Sequence, residues 1–505
     1  MKIRFLSLYS LLVCLYISTS GINAQKNNQV DTSFRYTLTM SEAVELAQMN
    51  SIASMQYKNM YVADYWNFRS YKASRLPSLM FGADIGNYNR SIVPLQNAVT
   101  GEISYQQSNN MSNRLQLSVD QRIFATGGYL SLYTSLERLD QFGASHYADY
   151  YSQPLSLSYV QPFFAYNPFK WDKKTEPERY EVAKKEYLEN MALVSYFAVS
   201  HFWDYAYQFE NYNLACGNFT QSKDLYIRSQ EKFRLGAINK ATLLQLKLKV
   251  YNDSLAVNSA QVNLISAKNR LSSFIGLKAN VELYTNLNYE LPEVELAFTK
   301  VMEDALRNSS FTQSQQLEML EAQEAVDRAK GERGFSMQLN ARFGLSNNDP
   351  TVAGVYRNLR DQEVVGLGIN VPIYDWGVGR GKVQMARAQE ETKRNELEQE
   401  MVDFQQDLYL KVMQFNNQKT QCEIAQQALS IAKEAYDLAV ENFLNATMTV
   451  TDLNALRTDY DNAQMSYIQN LGSYWKYYYD IRKLTLYDYH TNTHLQADFE
   501  NLVEK

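Results

Sequence analysis

The stretch Val364-Val365-Gly366-Leu367-Gly368-Ile369-Asn370-Val371-Pro372-Ile373-Tyr374-Asp375-Trp376-Gly377 decides how the rest of the chain is read. From Gly366 to Tyr374 the apolar residues Leu367, Ile369, Val371 and Ile373 take every second position, and Gly366, Gly368, Asn370 and Pro372 fill the gaps. A period of two marks a strand with one apolar face. Beyond the bend at Asp375, Trp376 and Gly377, roughly seventy residues run without proline, with apolar positions three to four apart, as a helix requires. Leu408, Val412, Phe415, Ala425, Ala428, Ala432, Ala435 and Ala439 carry that pattern towards Leu444. A short strand of membrane-crossing length therefore feeds directly into a very long helix.

The same unit occurs earlier, at a constant offset of about 210 residues, and such self-similarity outranks any single motif. Leu157, Tyr159, Pro162 and Phe163 stand where Leu367, Ile369, Pro372 and Ile373 stand later. The register holds through Lys223 with Lys433, Tyr226 with Tyr436, Glu231 with Glu441, Phe233 with Phe443, Leu243 with Leu453 and Asn252 with Asn462. A helix expected from Ser41 to Arg75, with Ser41 as N-cap and Leu76-Pro77 as its stop, has an equivalent from Phe298 to Arg333. Here Ala47, Asn50, Ser51, Lys72 and Arg75 match Ala305, Asn308, Ser309, Lys330 and Arg333. This offset is about 258, so the first repeat holds roughly fifty extra residues, enough for an additional hairpin. Leu115, Leu117, Val119 and Ile123, the turn Thr126-Gly127-Gly128 and the segment Tyr129 to Leu136 lie in that insert. The Asn- and Ser-rich stretches 87–113, 143–152 and 346–362 read as loops.

Lys2 and Arg4 precede an apolar run from Phe5 to Ile17, and Ile22-Asn23-Ala24 offers a small residue before Gln25. That is a secretory signal cut after Ala24; lipidation at Cys14 is the weaker reading, because Val13 is bulky for that cleavage. The formal charge is −6, and losing the two basic residues makes it about −8, which argues against nucleic acid as a partner. Cys216 and Cys422 sit at near-equivalent places on two helices and are expected as unpaired thiols. His490 and His494, four apart in a polar tail, are expected to be solvated, and no metal or other cofactor is implied.

A long helix from about Glu176 to Arg234 is followed by the turn Leu235-Gly236-Ala237-Ile238-Asn239 and a return helix from Lys240 to about Phe274. The second turn, Asn445-Ala446-Thr447-Met448, leads into a return helix ending near Leu486. A long helix of about 60 residues measures near 90 Å, which a return helix and an entry helix stacked end to end would match. The expected layout is a signal peptide over 1–24, a disordered segment over 25–36, repeats over 37–292 and 293–487, and a polar tail over 488–505.

A sheet edge cannot face hydrocarbon unpaired, and single-chain membrane barrels begin at eight strands. Four to six strands per chain must therefore be closed by several copies; three would supply at least twelve. Leu157, Tyr159, Leu367 and Ile369 would face lipid, and Ser156, Ser158, Gly366 and Gly368 a lumen. The expected fold is a mixed α/β membrane protein: a trimeric antiparallel β-barrel continued by a long α-helical coiled-coil barrel, built from two internal repeats.

These residues resemble the TolC-like outer-membrane efflux protein family over nearly the whole mature chain. The carriers are Leu76-Pro77-Ser78-Leu79, Val160-Gln161-Pro162-Phe163, Val371 to Gly377, and Phe233-Arg234-Leu235-Gly236 followed by Leu243-Leu244-Gln245. Phe443 to Ala446 followed by Asp452-Leu453 adds to them. The resemblance implies a homotrimer in outer-membrane lipid with a helical tunnel in the periplasm. It also implies a periplasmic adaptor (membrane fusion protein) docked on the tips Leu235, Gly236, Ala237, Asn445, Ala446 and Thr447, and an inner-membrane pump of the RND, ABC or MFS type. It implies further that Asp452 belongs to an acidic ring at the periplasmic entrance, although Ala455 stands at the family's second acidic position, Met448 at its basic latch position, and Thr242, which is not acidic, at the corresponding position of the first repeat. Pro162, Pro372 and Gly377 are the expected strand-to-helix bends. An ordinary first-turn acid is the competing reading of Asp452, and a pore-less periplasmic coiled coil is the competing reading of the whole. No catalytic constellation is present: Gly377-Val378-Gly379-Arg380-Gly381-Lys382 lacks the spacing and the Ser or Thr of a phosphate loop, so its glycines are assigned to the bend.

Overall fold

The computed structural model describes residues 35–503 except 97–99, 143–145, 278–281, 286–290 and 446. The signal segment, Cys14, most of 25–36 and Ala446 lie outside the described residues.

The chain opens with β1 (Arg35–Leu38), α1 (Met40–Asn50) and α2 (Ile52–Ser74). The strands β2 (Ser78–Gln96), β3 (Ile103–Ile123), β4 (Gly128–Gln141) and β5 (Tyr147–Phe163) come next, then α3 (Pro168–Arg234) and α4 (Lys240–Phe274). The second repeat brings β6 (Glu282–Thr285), α5 (Phe298–Asn308), α6 (Phe311–Arg333), β7 (Ser336–Asp349), a single 3-10 turn, β8 (Arg360–Asn370), α7 (Val378–Leu444) and α8 (Val450–Thr485). A small hairpin, β9 (Tyr487–Asp488) with β10 (Thr493–His494), and α9 (Phe499–Val503) complete it.

The duplication is visible in the rods, since α3 and α7 are each 67 residues long and α4 and α8 are 35 and 36. At 1.5 Å per residue the long helices reach roughly 100 Å. They stand side by side in the order α4, α3, α8, α7 towards the tips, and α2, α3, α6, α7 towards the sheet. The main core lies at mid-height, where Ala198, Phe202, Leu271, Leu408, Phe415, Leu471 and Tyr474 are all buried. The extra strands of the first repeat join β7 and β8 in one six-stranded meander of order β2-β3-β4-β5-β7-β8, with every neighbouring pair antiparallel.

Several expectations change. Thr39, not Ser41, caps α1: its hydroxyl accepts from the Glu42 N–H at 3.3 Å, and Glu42 accepts from the Thr39 N–H at 2.8 Å, a capping box. The entry helices are not continuous. Extended backbone at Ser51 separates α1 from α2, and Ser309 and Ser310 separate α5 from α6. The matched Asn-Ser pairs of the two repeats mark this break. The long helix begins at Pro168 rather than Glu176, because proline suits a first helical position, and Pro177 lies inside the helix. The stretch 87–113 is mostly strand, since β2 and β3 continue together far beyond the apolar segment. Residues 147–152 belong to β5, and 346–349 and 360–362 to β7 and β8. The C-terminal tail is packed: Tyr478 donates to Asp488 at 2.5 Å, Tyr489 donates to Asp304 at 3.1 Å, and the Phe499 ring lies tilted against Tyr61 with centroids 5.2 Å apart. His490 and His494 are exposed, as expected of solvated side chains.

Candidate functional site

Residues directly opposite in a ladder point to the same face, so the pairing register assigns each face of the sheet. Phe81 opposes Leu117, Val119 opposes Leu132, Leu132 opposes Leu157, Leu157 opposes Phe343, and Leu339 opposes Leu367. One face is thus apolar from edge to edge. The other carries Gln116, Ser118, Asp120, Ser131, Ser156, Ser158, Asn340 and Gly366, joined by the same ladders. On it Ser131 donates to Asp120 at 2.5 Å, and Arg114 donates to Glu137 at 3.0 Å through Nε. A sheet greasy on one side and hydrogen-bonding on the other has the two faces that the wall of a pore in lipid requires. In β5 a bulge at Gln153 to Leu155 houses Pro154, whose missing N–H would break a regular ladder.

The sheet passes into the rods through two different bends. In the first repeat Pro162 is still paired, to Gln338 in β7, and the chain turns at Phe164, where φ is +61°. Asn167 then caps α3, accepting from Phe169 N–H at 3.1 Å, and its amide donates to the Phe124 carbonyl in the β3–β4 turn. In the second repeat Pro372 lies beyond the end of β8, and the turn is made at Trp376 and Gly377, with φ of +56° and +88°. The Asp375 carboxylate accepts from the Gly377 and Gly379 N–H groups at 2.9 and 2.7 Å, capping α7. A side chain at Gly379 would place its Cβ 2.7 Å from Arg333 Cγ. Gly377 thus makes the turn and Gly379 lets α7 approach Arg333 closely.

At the opposite end the two helix-turn-helix tips meet. Ala237 N–H donates to Lys232 O at 2.8 Å and Gly236 N–H to Phe233 O at 3.0 Å, with Gly236 at φ +75°. These are the two bonds of a Schellman cap. Thr447 N–H closes the second turn on Asn442 O at 3.0 Å. Lys232 reaches across to the Leu444 carbonyl at 2.5 Å, and Leu246, Phe443, Val450 and Leu453 pack between the tips. Leu235 is 80% exposed at the very end; Asn445 and Thr447 are exposed beside it. Asp452 is exposed one turn into α8 and caps it with Thr449, whose hydroxyl donates to the carboxylate at 2.6 Å and accepts the Asp452 N–H at 3.2 Å.

Sequence reading missed a polar cluster above the tips. Arg457 and Asp253, with side chains 6% and 7% exposed, pair at 3.0 Å between α8 and α4. Asn218 accepts from Arg457 at 3.2 Å and donates to Asp461 at 2.8 Å. Burial pushes the Asp461 carboxyl above the usual range, against the opposing pull of Arg457. The two charges are more than 200 residues apart in sequence, and no local signal couples them. Cys216 and Cys422 are free; burial raises the Cys422 thiol to about 11. No group able to hold a metal is found among the described residues, and none of their helices is long and apolar enough to cross a membrane.

Residues 301–485 match the family model described as outer membrane efflux protein. No curated protein matches the chain. Among solved structures, the CmeC outer membrane channel of Campylobacter jejuni is similar at 16% identity and a TM-score of 0.66, over 92% of this chain and 88% of that one. The outer membrane protein VceC of Vibrio cholerae is similar at 11% identity and 0.63, over 90% and 97%. The open-state MtrE channel of Neisseria gonorrhoeae is similar at 12% identity and 0.60, over 91% of each chain. The mixed α/β fold expected from the repeats is the fold of these channels.

Proposed function

We propose, for a chain that carries the outer membrane efflux protein domain over residues 301–485 and is built as an outer-membrane channel rather than an enzyme, that three copies form the exit duct of a tripartite export system. The observation that carries this reading is the single apolar sheet face continued, without a linker, into rods too polar to enter lipid. The polar face lines the lumen, and the rods extend it into the periplasm.

The rods supply their own reason to associate. The outermost helices α4 and α7 expose apolar stripes at heptad spacing: Leu244, Leu248, Tyr251, Leu255 and Val262 on α4, and Ile424, Ile431 and Leu438 on α7. The helices run in opposite directions, so counted from the tips the residues of one stripe fall between those of the other. An antiparallel coiled coil between α4 of one copy and α7 of the next uses that spacing, and repeating the contact closes a ring.

The tips at Leu235, Gly236, Ala237, Asn445, Ala446 and Thr447 dock a periplasmic adaptor coupled to an inner-membrane pump, and an exposed apolar Leu235 is the natural anchor. Three Asp452 carboxylates gather at the entrance as a cation-sensitive ring. The test is a purified, detergent-solubilised protein sized for trimers and inserted in planar bilayers. Multivalent cations should block the wild-type conductance, and Asp452→Ala should relieve that block roughly tenfold in concentration. A detergent-free monomer would overturn the channel; equal block in D452A would overturn the ring alone. Photocrosslinkers at Leu235 and Thr447 identify the adaptor.

A further inference from the structure

We infer that the membrane wall is an eighteen-stranded barrel, six strands from each of three copies, closed by antiparallel pairing of β8 in one copy with β2 in the next. The inference rests on the trimeric channel reading and fixes the partner of each open edge.

Among the described residues the sheet is open at both sides: β2 pairs only with β3, and β8 only with β7. The apolar face continues onto both edges, through Leu79 and Phe81 on β2 and Leu367 and Ile369 on β8, each more than half exposed. These edges therefore stand in hydrocarbon, where backbone N–H and C=O groups must find partners. Polarity allows only one simple closure. β2 leaves the helical end of the molecule and β8 returns to it, so β8 beside the β2 of a neighbour continues the alternation. The same head-to-tail order brings α7 of one copy against α4 of the next, so sheet and rods close by one operation.

A twelve-stranded wall would require the β2–β3 hairpin to lie outside it, with β8 closing on β4. The structure opposes that arrangement. β3 is paired to β4 continuously from Asn110–Gln141 to Ile123–Gly128. On the lumen face the pair is fastened by Arg114 to Glu137 and by Ser131 to Asp120. The base of β3 is also held: Gln121 donates to the Arg75 carbonyl at 3.1 Å, and Asn167 of the α3 cap holds Phe124 O.

Perimeters agree independently. Each copy gives the tube four helices in cross-section, about 40 Å of wall at an interaxial spacing near 10 Å. Six strands spaced about 4.8 Å apart and tilted about 40° span roughly 38 Å, whereas four span roughly 25 Å. Eighteen strands therefore meet the helical tube without a step. The barrel radius is then about 18 Å rather than about 12 Å. The exit mouth is wide enough for bulky solutes, and selection by size falls to the tips.

Two experiments decide it on the full-length protein. Leu367→Cys is combined in turn with Leu79→Cys, Phe81→Cys or Ala83→Cys on β2, and in a second series with Leu130→Cys, Leu132→Cys or Thr134→Cys on β4. Oxidation should give covalent dimers and trimers on denaturing gels in the first series only; cross-linking in the second series would overturn the inference. Because cysteine variants can fail to assemble, the wild-type trimer is also imaged by electron cryomicroscopy in lipid nanodiscs. Eighteen strands support the inference and twelve refute it. A particle that is not trimeric removes the channel reading as well, so the two failures are distinguishable.

Discussion

The first repeat places four strands between its entry helices and its rod and the second places two, yet both rods measure 67 residues and both return helices end within a residue of the same length. Rods that stand side by side must reach the tip and the bend at the same level, so any change in length in one would leave a face of the other bare. A sheet grows sideways instead. An inserted pair of strands brings the chain back to the level it left, so β5 still delivers α3 to its place. Height is constrained by neighbours, and width is free in steps of two.

The repeats also differ in how they are fastened, and variants at three places probe that difference. The largest effect is expected at the contact between them. Arg457→Ala would leave the buried Asp253 with only Lys249, 3.2 Å away, as a cation partner, a loss of about 3 kcal/mol, at the low end for a broken buried pair, read as a large fall in the urea midpoint in detergent. The double variant D253L/R457L should recover most of it, because the buried pair is then removed as a unit and the part-exposed Lys249 can be solvated; equal loss in single and double variants would show that the pair does not hold the hairpins together.

The next effect separates the two helix breaks. In the first repeat the break is capped locally, Ser51 accepting from Ser54 N–H at 3.0 Å. In the second, Glu189 of α3 accepts from the Ser310 N–H at 2.6 Å and from its hydroxyl at 2.8 Å. Ser51→Ala should cost about 1 kcal/mol, and Glu189→Ala about 2–3 kcal/mol, because a charge-assisted pair inside the fold is lost. Thermal melts of the two variants compare the breaks directly; equal shifts would mean that the long-range cap adds nothing.

The smallest effect concerns the tail, which follows α8; among the described residues α4 is followed instead by β6. Burial of Asp488 favours its neutral form, but hydrogen bonds from Tyr478 and from the N–H groups of Thr491 and His490, with Arg482 nearby, hold its pKa below the usual carboxylate range. A lowered folded pKa stabilises the tail above the unfolded carboxylate pKa, and that stability is lost as pH falls through the folded value. Tail amides should exchange faster on acidification below about pH 4, by an amount on the order of 1 kcal/mol. Asp488→Asn should flatten that dependence; an unchanged profile would show that another group controls it.

Much of this was legible in order of residues. The period-two run at Leu367, Ile369 and their matches at Leu157 and Tyr159 placed two strands, and the offset of the repeats placed both tips and both rods. Gly236 marked its turn because a left-handed residue there is almost required to be glycine. The stretch 87–113 misled for a physical reason: above the lipid both faces of a strand meet water, so alternation disappears while backbone pairing continues. Residue type alone marks Ser41 as a cap, but Thr39 has the Glu three residues on that completes the box.

By itself the sequence determined the duplication, the two kinds of element, the greasy face and the turn at Asp375 to Gly377, because each follows from the spacing of neighbours along the chain; the first turn falls at Phe164, past the expected Pro162. Only the tertiary structure decided that six strands form one sheet with two open edges, that Glu189 caps a helix more than a hundred residues away, and that Asp253 finds Arg457. Those contacts join residues whose separation in sequence carries no period, and they exist only once the rods and strands have been laid against one another.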